Sequence, residues 1–191
     1  MDPVETAAQV LMHDGIVIYP TDTVYGLGGD ALSDEAILKV YEAKRRPLSQ
    51  PVSIAVASCD MIHGVAKVDS EAAEFIDHFL PGPVTVVLPA RNCVPGILTG
   101  GTGLIGIRFP RHPLALRLIS LIDTPITATS ANLSGAKDPV IPDECHVAHD
   151  YLIDGGVLPG TPSTVVDLIE SRILRAGAQV DQVIRYLSSH R

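Results

Sequence analysis

The sequence predicts an α/β protein with a mixed, twisted open sheet and flanking helices. Short apolar runs typical of buried strands are interleaved with amphipathic stretches typical of helices, and turns rich in glycine and proline separate them. Strands and helices do not alternate strictly, which favours a mixed sheet over a doubly wound parallel one. No linker, repeat or low-complexity tract divides the chain, so we expect a single domain over residues 1–191.

Helix boundaries follow from capping residues and from glycine or proline. Asp2 followed by Pro3 is typical of a helix start, and Gly15 ends the amphipathic stretch that follows. By the same signals, helices are expected at residues 3–15, 33–46, 69–80, 113–122 and 180–189. The second of them is expected to turn inward an apolar face that consists of Ile37, Leu38, Val40 and Tyr41.

Short apolar runs with many β-branched side chains predict the strands. We expect them at residues 16–19, 52–56, 84–88, 104–109, 125–129, 151–153, 164–169 and 173–175. Residues 21–29 are crowded with hydroxyls and glycines and are interpreted as a loop. Residues 91–103, rich in glycine and proline, are expected to form a flexible loop.

Charge and cysteine content narrow the possible functions. The formal net charge of −8 argues against a broad basic face for duplex nucleic acid. The apolar runs are too short to span a bilayer, and the acidic N-terminal segment does not resemble a signal peptide. Three scattered cysteines form no CxxC pair and are interpreted as reduced thiols of a cytoplasmic protein: Cys59, Cys93 and Cys145.

Three adjacent cations end the second helix: Lys44, Arg45 and Arg46, just before Pro47. Cations near a helix C-terminus commonly complement the dipole, but three in a row exceed what a cap needs. Guanidinium forks match phosphate or carboxylate groups, and lysine adds a point charge. Together with the loop at 21–29, which alone is equally well explained as a turn, they predict an anion site. Arg45 is expected to point elsewhere, because successive helical side chains diverge.

Further polar side chains stand at the ends of predicted strands, where ligands often bind. Arg108 ends one strand, residues 127–135 offer neutral hydroxyl and amide groups, and Ser163 and Arg175 flank the late strands. A capped turn would explain the serine and asparagine side chains equally well. For Arg111 and His112 the sequence allows two interpretations: they contact a ligand, or they belong to a solvated loop.

Several catalytic motifs are absent from the sequence. There is no Walker A, HExxH or GxSxG motif, and no nucleophile paired with a base is apparent. Cys145, His146 and His149 are ligand-type residues, but no second cluster completes a zinc site, so no metal held by the protein is expected. The polar residues are suited instead to hold two anionic or zwitterionic reactants, as in phosphoryl and nucleotidyl transfer.

Six ordered motifs together resemble the YrdC family, the threonylcarbamoyl-AMP synthases. They are YPTDTVYGLGGDA, KRRP, PGPVT, IRFPRHP, TSANLSG and PSTVVD, and the similarity runs from about Gly15 to Arg175. The resemblance implies a YrdC-like sheet around a large, positively lined cavity, in the form of the family that consists of this domain alone. It also implies that L-threonine, bicarbonate or CO2, and ATP with Mg²⁺ give threonylcarbamoyl-AMP and pyrophosphate. Partner proteins would then pass the group to adenosine 37 of tRNA.

The resemblance also assigns roles to individual residues. It implies that three residues contact L-threonine: Thr23, Arg108 and Ser163. It implies that Lys44 and Arg46 are catalytic and grip the ATP phosphates. Further ATP contacts would come from Gln50, Ser130, Asn132 and Arg175.

Three positions depart from the family pattern. Gln50 stands where many members have asparagine and keeps an amide on a longer arm. Ala55 stands where some have a histidine that contacts threonine, and Asp138 stands where some have a nucleotide-binding serine. Both substitutions remove the side chain that makes the contact in those members.

Two other functions also use a domain or a cavity of this kind. A carbamoyl-adenylate step in hydrogenase maturation uses a related domain inside a much larger protein with zinc fingers, which this sequence lacks. A non-catalytic RNA-binding module would use the same cationic cavity. The net charge of −8 and the narrow basic cluster argue against it.

Overall fold

The computed structural model describes residues 2–190. The helices in this range are α1 (Pro3–Leu11), α2 (Asp34–Lys44), α3 (Cys59–Val65), α4 (Ser70–Phe79), α5 (Pro113–Ile122) and α6 (Val180–Ser189). Asp2, Ser33 and Asp69 cap α1, α2 and α4, because each side chain accepts a hydrogen bond from a backbone N–H two or three residues ahead. The capping residues therefore predicted these helix starts correctly.

The described strands form a single nine-stranded sheet. They are β1 (Val17–Tyr19), β2 (Gly26–Gly28), β3 (Ser53–Ala55), β4 (Val84–Pro89), β5 (Leu104–Arg108), β6 (Ile126–Ser130), β7 (Tyr151–Leu152), β8 (Thr164–Asp167) and β9 (Arg172–Arg175). Their spatial order is β7-β1-β2-β6-β3-β5-β4-β8-β9. The pairs β1–β7, β3–β5 and β4–β8 are parallel and the other pairs are antiparallel, which confirms the predicted mixed sheet.

Strand β2 corrects the interpretation of residues 21–29 as a loop, because residues 26–28 pair with both β1 and β6. A Cβ atom on Gly26 would lie 2.9 Å from Cζ of Tyr19, and one on Gly28 would lie 2.9 Å from Cε1 of the same ring. The Tyr19 ring thus covers β2, and its hydroxyl donates to the Thr127 carbonyl oxygen in β6 at 3.0 Å. Glycine leaves room for the ring, which explains a strand of residues with low β-propensity.

Three clusters of buried apolar side chains hold the sheet to its helices. The largest joins the central strands to α4 and includes Val86 and Phe75. A second packs α1 and α5 together through Leu11 and Leu118, and a third includes Val40 of α2. The helices therefore cover the sheet through extensive apolar packing, which gives the strand ends a rigid support.

Two helix predictions need correction. Leu38 was expected to face inward but is 47% exposed, because the buried stripe of α2 runs through Ile37, Val40 and Tyr41 and the next residue along the helix points away from it. Helix α3 was not predicted. Only Ile62 and Val65 of its seven residues are buried, so the apolar periodicity is too weak to reveal it.

The two ends of the predicted domain, Met1 and Arg191, lie outside the described residues. Within residues 2–190, no helix has the length and apolar character that crossing a membrane requires. Residues 91–103 contain turns and no helix or strand.

Replacing Phe75 by alanine should lower the free energy of unfolding by about 3–5 kcal/mol, because it empties space in the largest apolar cluster. Phe75 is 2% exposed, and its ring centroid lies 4.5 Å from that of Phe79 and 5.3 Å from that of Tyr186. Leu38→Ala is the matched control and should change the free energy by less than about 0.5 kcal/mol. Urea unfolding followed by circular dichroism measures both variants, and equal losses would contradict this account of the core.

Candidate functional site

A cavity of about 360 Å³ opens where the ends of several strands meet. Its walls come from segments far apart in sequence, from the loop after β1 to the end of β9. Nearly all of the predicted site residues line it: Thr23, Lys44, Arg46, Arg108, Ser130, Asn132, Ser163 and Arg175. Gln50 does not line the cavity. It is exposed at the surface, and its backbone carbonyl oxygen accepts hydrogen bonds from Tyr41 and Arg46.

The loop after β1 presents hydroxyl groups to the cavity in a fixed arrangement. The Thr21 hydroxyl accepts from the backbone N–H of Thr23 at 3.1 Å and donates to the Val24 carbonyl oxygen at 2.7 Å. The Thr21 and Thr23 hydroxyl oxygens are 2.9 Å apart. Because Thr21 donates its only hydroxyl proton to the Val24 carbonyl oxygen, Thr23 must be the donor in the hydrogen bond between the two hydroxyls. The Thr23 oxygen therefore keeps lone pairs that can accept a hydrogen bond from a ligand.

Arg108 ends β5 and is 5% exposed, although its side chain reaches the cavity. Its guanidinium forms an ion pair with Asp22 and donates to the Val84 carbonyl oxygen at 3.4 Å. Burial lowers the pKa of Arg108, and Asp22 acts in the opposite direction. Asp22 was not among the predicted site residues. The neighbouring hydroxyls drew attention in the sequence, and nothing local indicates that its carboxylate meets an arginine 86 positions away.

Ser163 and Arg175 meet beside Arg108, at the junction of β8 and β9. The Arg175 guanidinium donates to the Ser163 hydroxyl at 3.0 Å and to its carbonyl oxygen at 3.1 Å. The Ser163 hydroxyl is also 2.8 Å from the Thr85 hydroxyl, a second site residue that the sequence did not indicate. Gly177 permits this junction, because a Cβ atom there would lie 2.2 Å from the Pro162 carbonyl oxygen.

Lys44 is 2% exposed and is held by the loop that follows β6. Its ammonium group donates to the Ser130 carbonyl oxygen, to the Asn132 carbonyl oxygen at 2.7 Å and to Asn132 Oδ1 at 3.2 Å. All three ammonium protons therefore have acceptors in the protein. Burial, followed by the charge of Arg46, lowers the pKa of Lys44 to about 8, while Asp138 raises it.

The end of α2 separates the two neighbouring arginines. Arg45 caps the helix in the left-handed conformation with φ of 50° and lines a different groove, beside Glu42 and His149. Arg46 turns to the cavity and donates to the Pro51 carbonyl oxygen at 2.9 Å. The structure thus agrees with the expectation that Arg45 points away from the site.

The loop after β6 forms a further wall of the cavity. The Ser130 hydroxyl donates to Asn132 Oδ1 at 2.7 Å, and the Asn132 amide donates to the Ala136 carbonyl oxygen at 2.6 Å and to Asp138 Oδ1 at 3.2 Å. Among the described residues that line the cavity, Asp138 is the only one with a carboxylate. Ala55, the other departure from the family pattern, pairs with Arg108 in the sheet and does not line the cavity.

Metal-ligand residues are sparse in this part of the molecule. No group of three or more His, Cys, Asp or Glu side chains within residues 2–190 is arranged to hold a metal ion. The single carboxylate of Asp138 fits a Mg²⁺ ion that is carried by phosphate groups and water, since such ions often take only one or two protein carboxylates.

Burial raises the pKa of the Cys145 thiol to about 11.

Arg111 and His112 do not line the cavity. Arg111 donates to the Pro81 carbonyl oxygen at 3.1 Å near the surface. His112 precedes α5, and its Nδ1 atom is buried without a hydrogen-bond partner among residues 2–190. Burial lowers the pKa of His112, while the nearby Asp22 carboxylate raises it.

The fold and the cavity define an α/β protein with a cavity that is lined by four cationic side chains. The Sua5/YciO/YrdC family model, described as "Telomere recombination", matches residues 9–177. The chain belongs to this family, and the predicted resemblance is confirmed.

The sequence similarity to named relatives extends over most of this chain. A threonylcarbamoyl-AMP synthase of Pyrococcus abyssi is 39% identical over 98% of the chain, and one of Bacillus subtilis is 37% identical over 96%. The crystal structure of P. abyssi Sua5 complexed with L-threonine superposes with a TM-score of 0.90 at 38% identity, covering 95% of this chain and 57% of that one. The chain spans 58% and 53% of the length of the two curated relatives.

The Lys44 environment can be tested by titration. The sequence contains four lysines, so ¹³C-lysine labelling gives a simple spectrum in which each residue can be followed by NMR. Lys44 should titrate near pH 8, and Asp138→Asn should shift its pKa downward because a carboxylate that favours the ammonium form is lost. Lys39, whose pKa is raised by Glu35, is the internal reference. Two outcomes would contradict this electrostatic description: a Lys44 pKa in the ordinary lysine range, or a Lys44 pKa that is the same in Asp138→Asn as in the wild type.

Proposed function

We propose that this protein is an L-threonylcarbamoyladenylate synthase. It would form threonylcarbamoyl-AMP and pyrophosphate from L-threonine, bicarbonate or CO2, and ATP. The observation that supports this most directly is that residues from six separate motifs line one cavity with four cationic side chains. The named relatives support the same reaction and do not favour the RNA-binding or hydrogenase-maturation alternatives.

L-Threonine would occupy the end of the cavity at Arg108. The guanidinium keeps donors beyond those used on Asp22 and Val84, so it can also bind the carboxylate of an amino acid. The hydroxyls of Thr23 and Ser163 line the same cavity and suit the polar atoms of threonine. Thr23 offers an acceptor, as its own proton goes to Thr21.

ATP would occupy the end at α2 and the loop after β6. Arg46 offers guanidinium donors to the phosphates at this end, and Arg175, beside Ser163, would meet them where the two reactants adjoin. Lys44 adds positive charge to the wall while its protons fix the loop. The Ser130 hydroxyl oxygen can accept a hydrogen bond from the nucleotide, and Asn132 would reach it by exchanging one of its bonds within the loop. Gln50 lies beside this end and would reach the nucleotide from the cavity rim.

The chemistry would need no protein nucleophile. The threonine amine captures CO2 to give a carbamate, a carbamate oxygen attacks the α-phosphorus of ATP, and pyrophosphate leaves. The protein holds the two reactants together and offsets charge on the phosphates through Lys44 and Arg46. Mg²⁺ bound with ATP would shield the leaving pyrophosphate, with Asp138 as the carboxylate in reach.

The product is an activated acyl adenylate that another protein must use. We propose that transfer proteins pass its threonylcarbamoyl group to adenosine 37 of tRNA in the cytoplasm. This chain would then meet tRNA only indirectly, which agrees with its net charge of −8.

A pyrophosphate-release assay tests the proposal. The protein is incubated with ATP and Mg²⁺, with either L-threonine plus bicarbonate or carbamoyl phosphate, and the adenylate is identified by mass spectrometry. Pyrophosphate and threonylcarbamoyl-AMP should form only with L-threonine and bicarbonate together. Turnover that depends on carbamoyl phosphate, or tight RNA binding without turnover, would contradict the proposal.

Arg46→Ala should reduce threonine-dependent pyrophosphate release by about a hundredfold, the scale expected when one donor to developing charge is removed. Arg45→Gly is the matched control. It removes the adjacent guanidinium, which lines another groove, and glycine suits the left-handed conformation at that position. The control should retain activity, and both variants should keep the wild-type melting temperature to within a few degrees. Near-normal activity of Arg46→Ala would reject the role of Arg46.

A further inference from the structure

The four cationic side chains that line the cavity differ in whether a carboxylate forms an ion pair with them. Arg108 forms an ion pair with the Asp22 carboxylate. Within residues 2–190, Lys44, Arg46 and Arg175 form no ion pair with a carboxylate. The Arg108–Asp22 pair is therefore close to neutral. Lys44 and Arg46 at the α2 end, and Arg175 between them and Arg108, keep positive charge that Asp138 offsets only in part.

Asp22 acts from behind Arg108. It does not line the cavity, although Arg108 and both neighbouring threonines do. Its side chain is 15% exposed, and that of Arg108 is 6% exposed, so water screens this pair weakly. The carboxylate thus holds the guanidinium from outside the cavity lining, while Arg108 itself lines the cavity.

Among residues 2–190, Arg108 is the charged side chain that forms an ion pair with Asp22. The Asp22 Oδ2 atom is buried without a hydrogen-bond partner among residues 2–190, and so is Nδ1 of His112. Burial lowers the pKa of His112, which disfavours the charged imidazolium as a second partner for Asp22. A buried oxygen without a partner costs free energy, and such exceptions in native structures call for an explanation.

We propose that Asp22 is a positioning residue that makes the Arg108 end of the cavity selective for a zwitterionic amino acid over phosphate groups. A lone buried arginine would attract the triphosphate of ATP or its pyrophosphate product. The neutral Arg108–Asp22 pair still donates hydrogen bonds to a carboxylate but no longer attracts a polyanion strongly. Phosphate groups are directed instead to Lys44, Arg46 and Arg175. This inference rests on the proposed function.

Calorimetric binding of L-threonine, with and without saturating pyrophosphate as the probe, tests the proposal. For the wild-type protein, pyrophosphate should change the L-threonine Kd by less than about twofold, because the two ligands use different ends. Asp22→Asn should weaken L-threonine binding by about ten- to a hundredfold, the scale for a hydrogen bond to a charged group. It should also make pyrophosphate a competitor of L-threonine.

Two further variants separate charge from structure. Asp22→Glu restores the carboxylate and should recover L-threonine binding and remove the pyrophosphate competition. Asp143→Asn removes an exposed carboxylate elsewhere and should behave as the wild type. ATP affinity should stay within about twofold of wild type in Asp22→Glu and Asp143→Asn, since both variants keep a carboxylate beside Arg108 and leave the phosphate-binding end unchanged.

Each outcome bears on one claim. Wild-type L-threonine affinity in a folded Asp22→Asn variant, or no pyrophosphate competition in that variant, overturns the role of Asp22. If Asp22→Asn does not fold, the wild-type experiment still decides, because strong competition between pyrophosphate and L-threonine there overturns the selectivity. Failure of the wild-type protein to bind L-threonine at all would reject the proposed function itself.

Discussion

The packing of the Tyr19 ring across strand β2 is the contact on which the cavity depends. The ring occupies space that any side chain at Gly26 or Gly28 would fill, and its hydroxyl reaches across to β6. Strand β2 is thereby seated between β1 and β6. The position of β2 brings the hydroxyl loop after β1 into the same cavity as the loop after β6. Both walls of the site therefore depend on Gly26 and Gly28, which have no side-chain functional group.

Charge distribution then gives the two ends of the cavity different properties. The Asp22 carboxylate neutralises Arg108, while the three other cations face the cavity without ion pairs in the described part of the chain. Hydrogen bonds hold Lys44, Arg46 and Arg175 to backbone carbonyl oxygens, which orients these side chains without cancelling their charge. A zwitterion and a polyphosphate can therefore be sorted by electrostatics as well as by shape.

The sequence predicted every helix start but that of α3, and most strands, because caps and apolar runs are local signals, as Asp2 and Ser33 illustrate. It did not predict β2, because glycine-rich segments are typical of loops and the reason for this strand is a ring from another strand. Motif resemblance indicated eight residues that line the cavity, yet it assigned no role to Asp22 or Thr85, although both lie within the matching motifs. Their roles depend on contacts between residues far apart in sequence, and such contacts exist only in the folded chain.

The most direct test of this account is a crystal structure of the protein with L-threonine and an ATP analogue whose α–β bridge cannot be cleaved. The account predicts that the threonine carboxylate lies within hydrogen-bonding distance of Arg108. It also predicts that the phosphates lie against Arg46 and Arg175, with Lys44 in the adjoining wall. Phosphate groups bound at Arg108, or threonine bound at the α2 end, would contradict it.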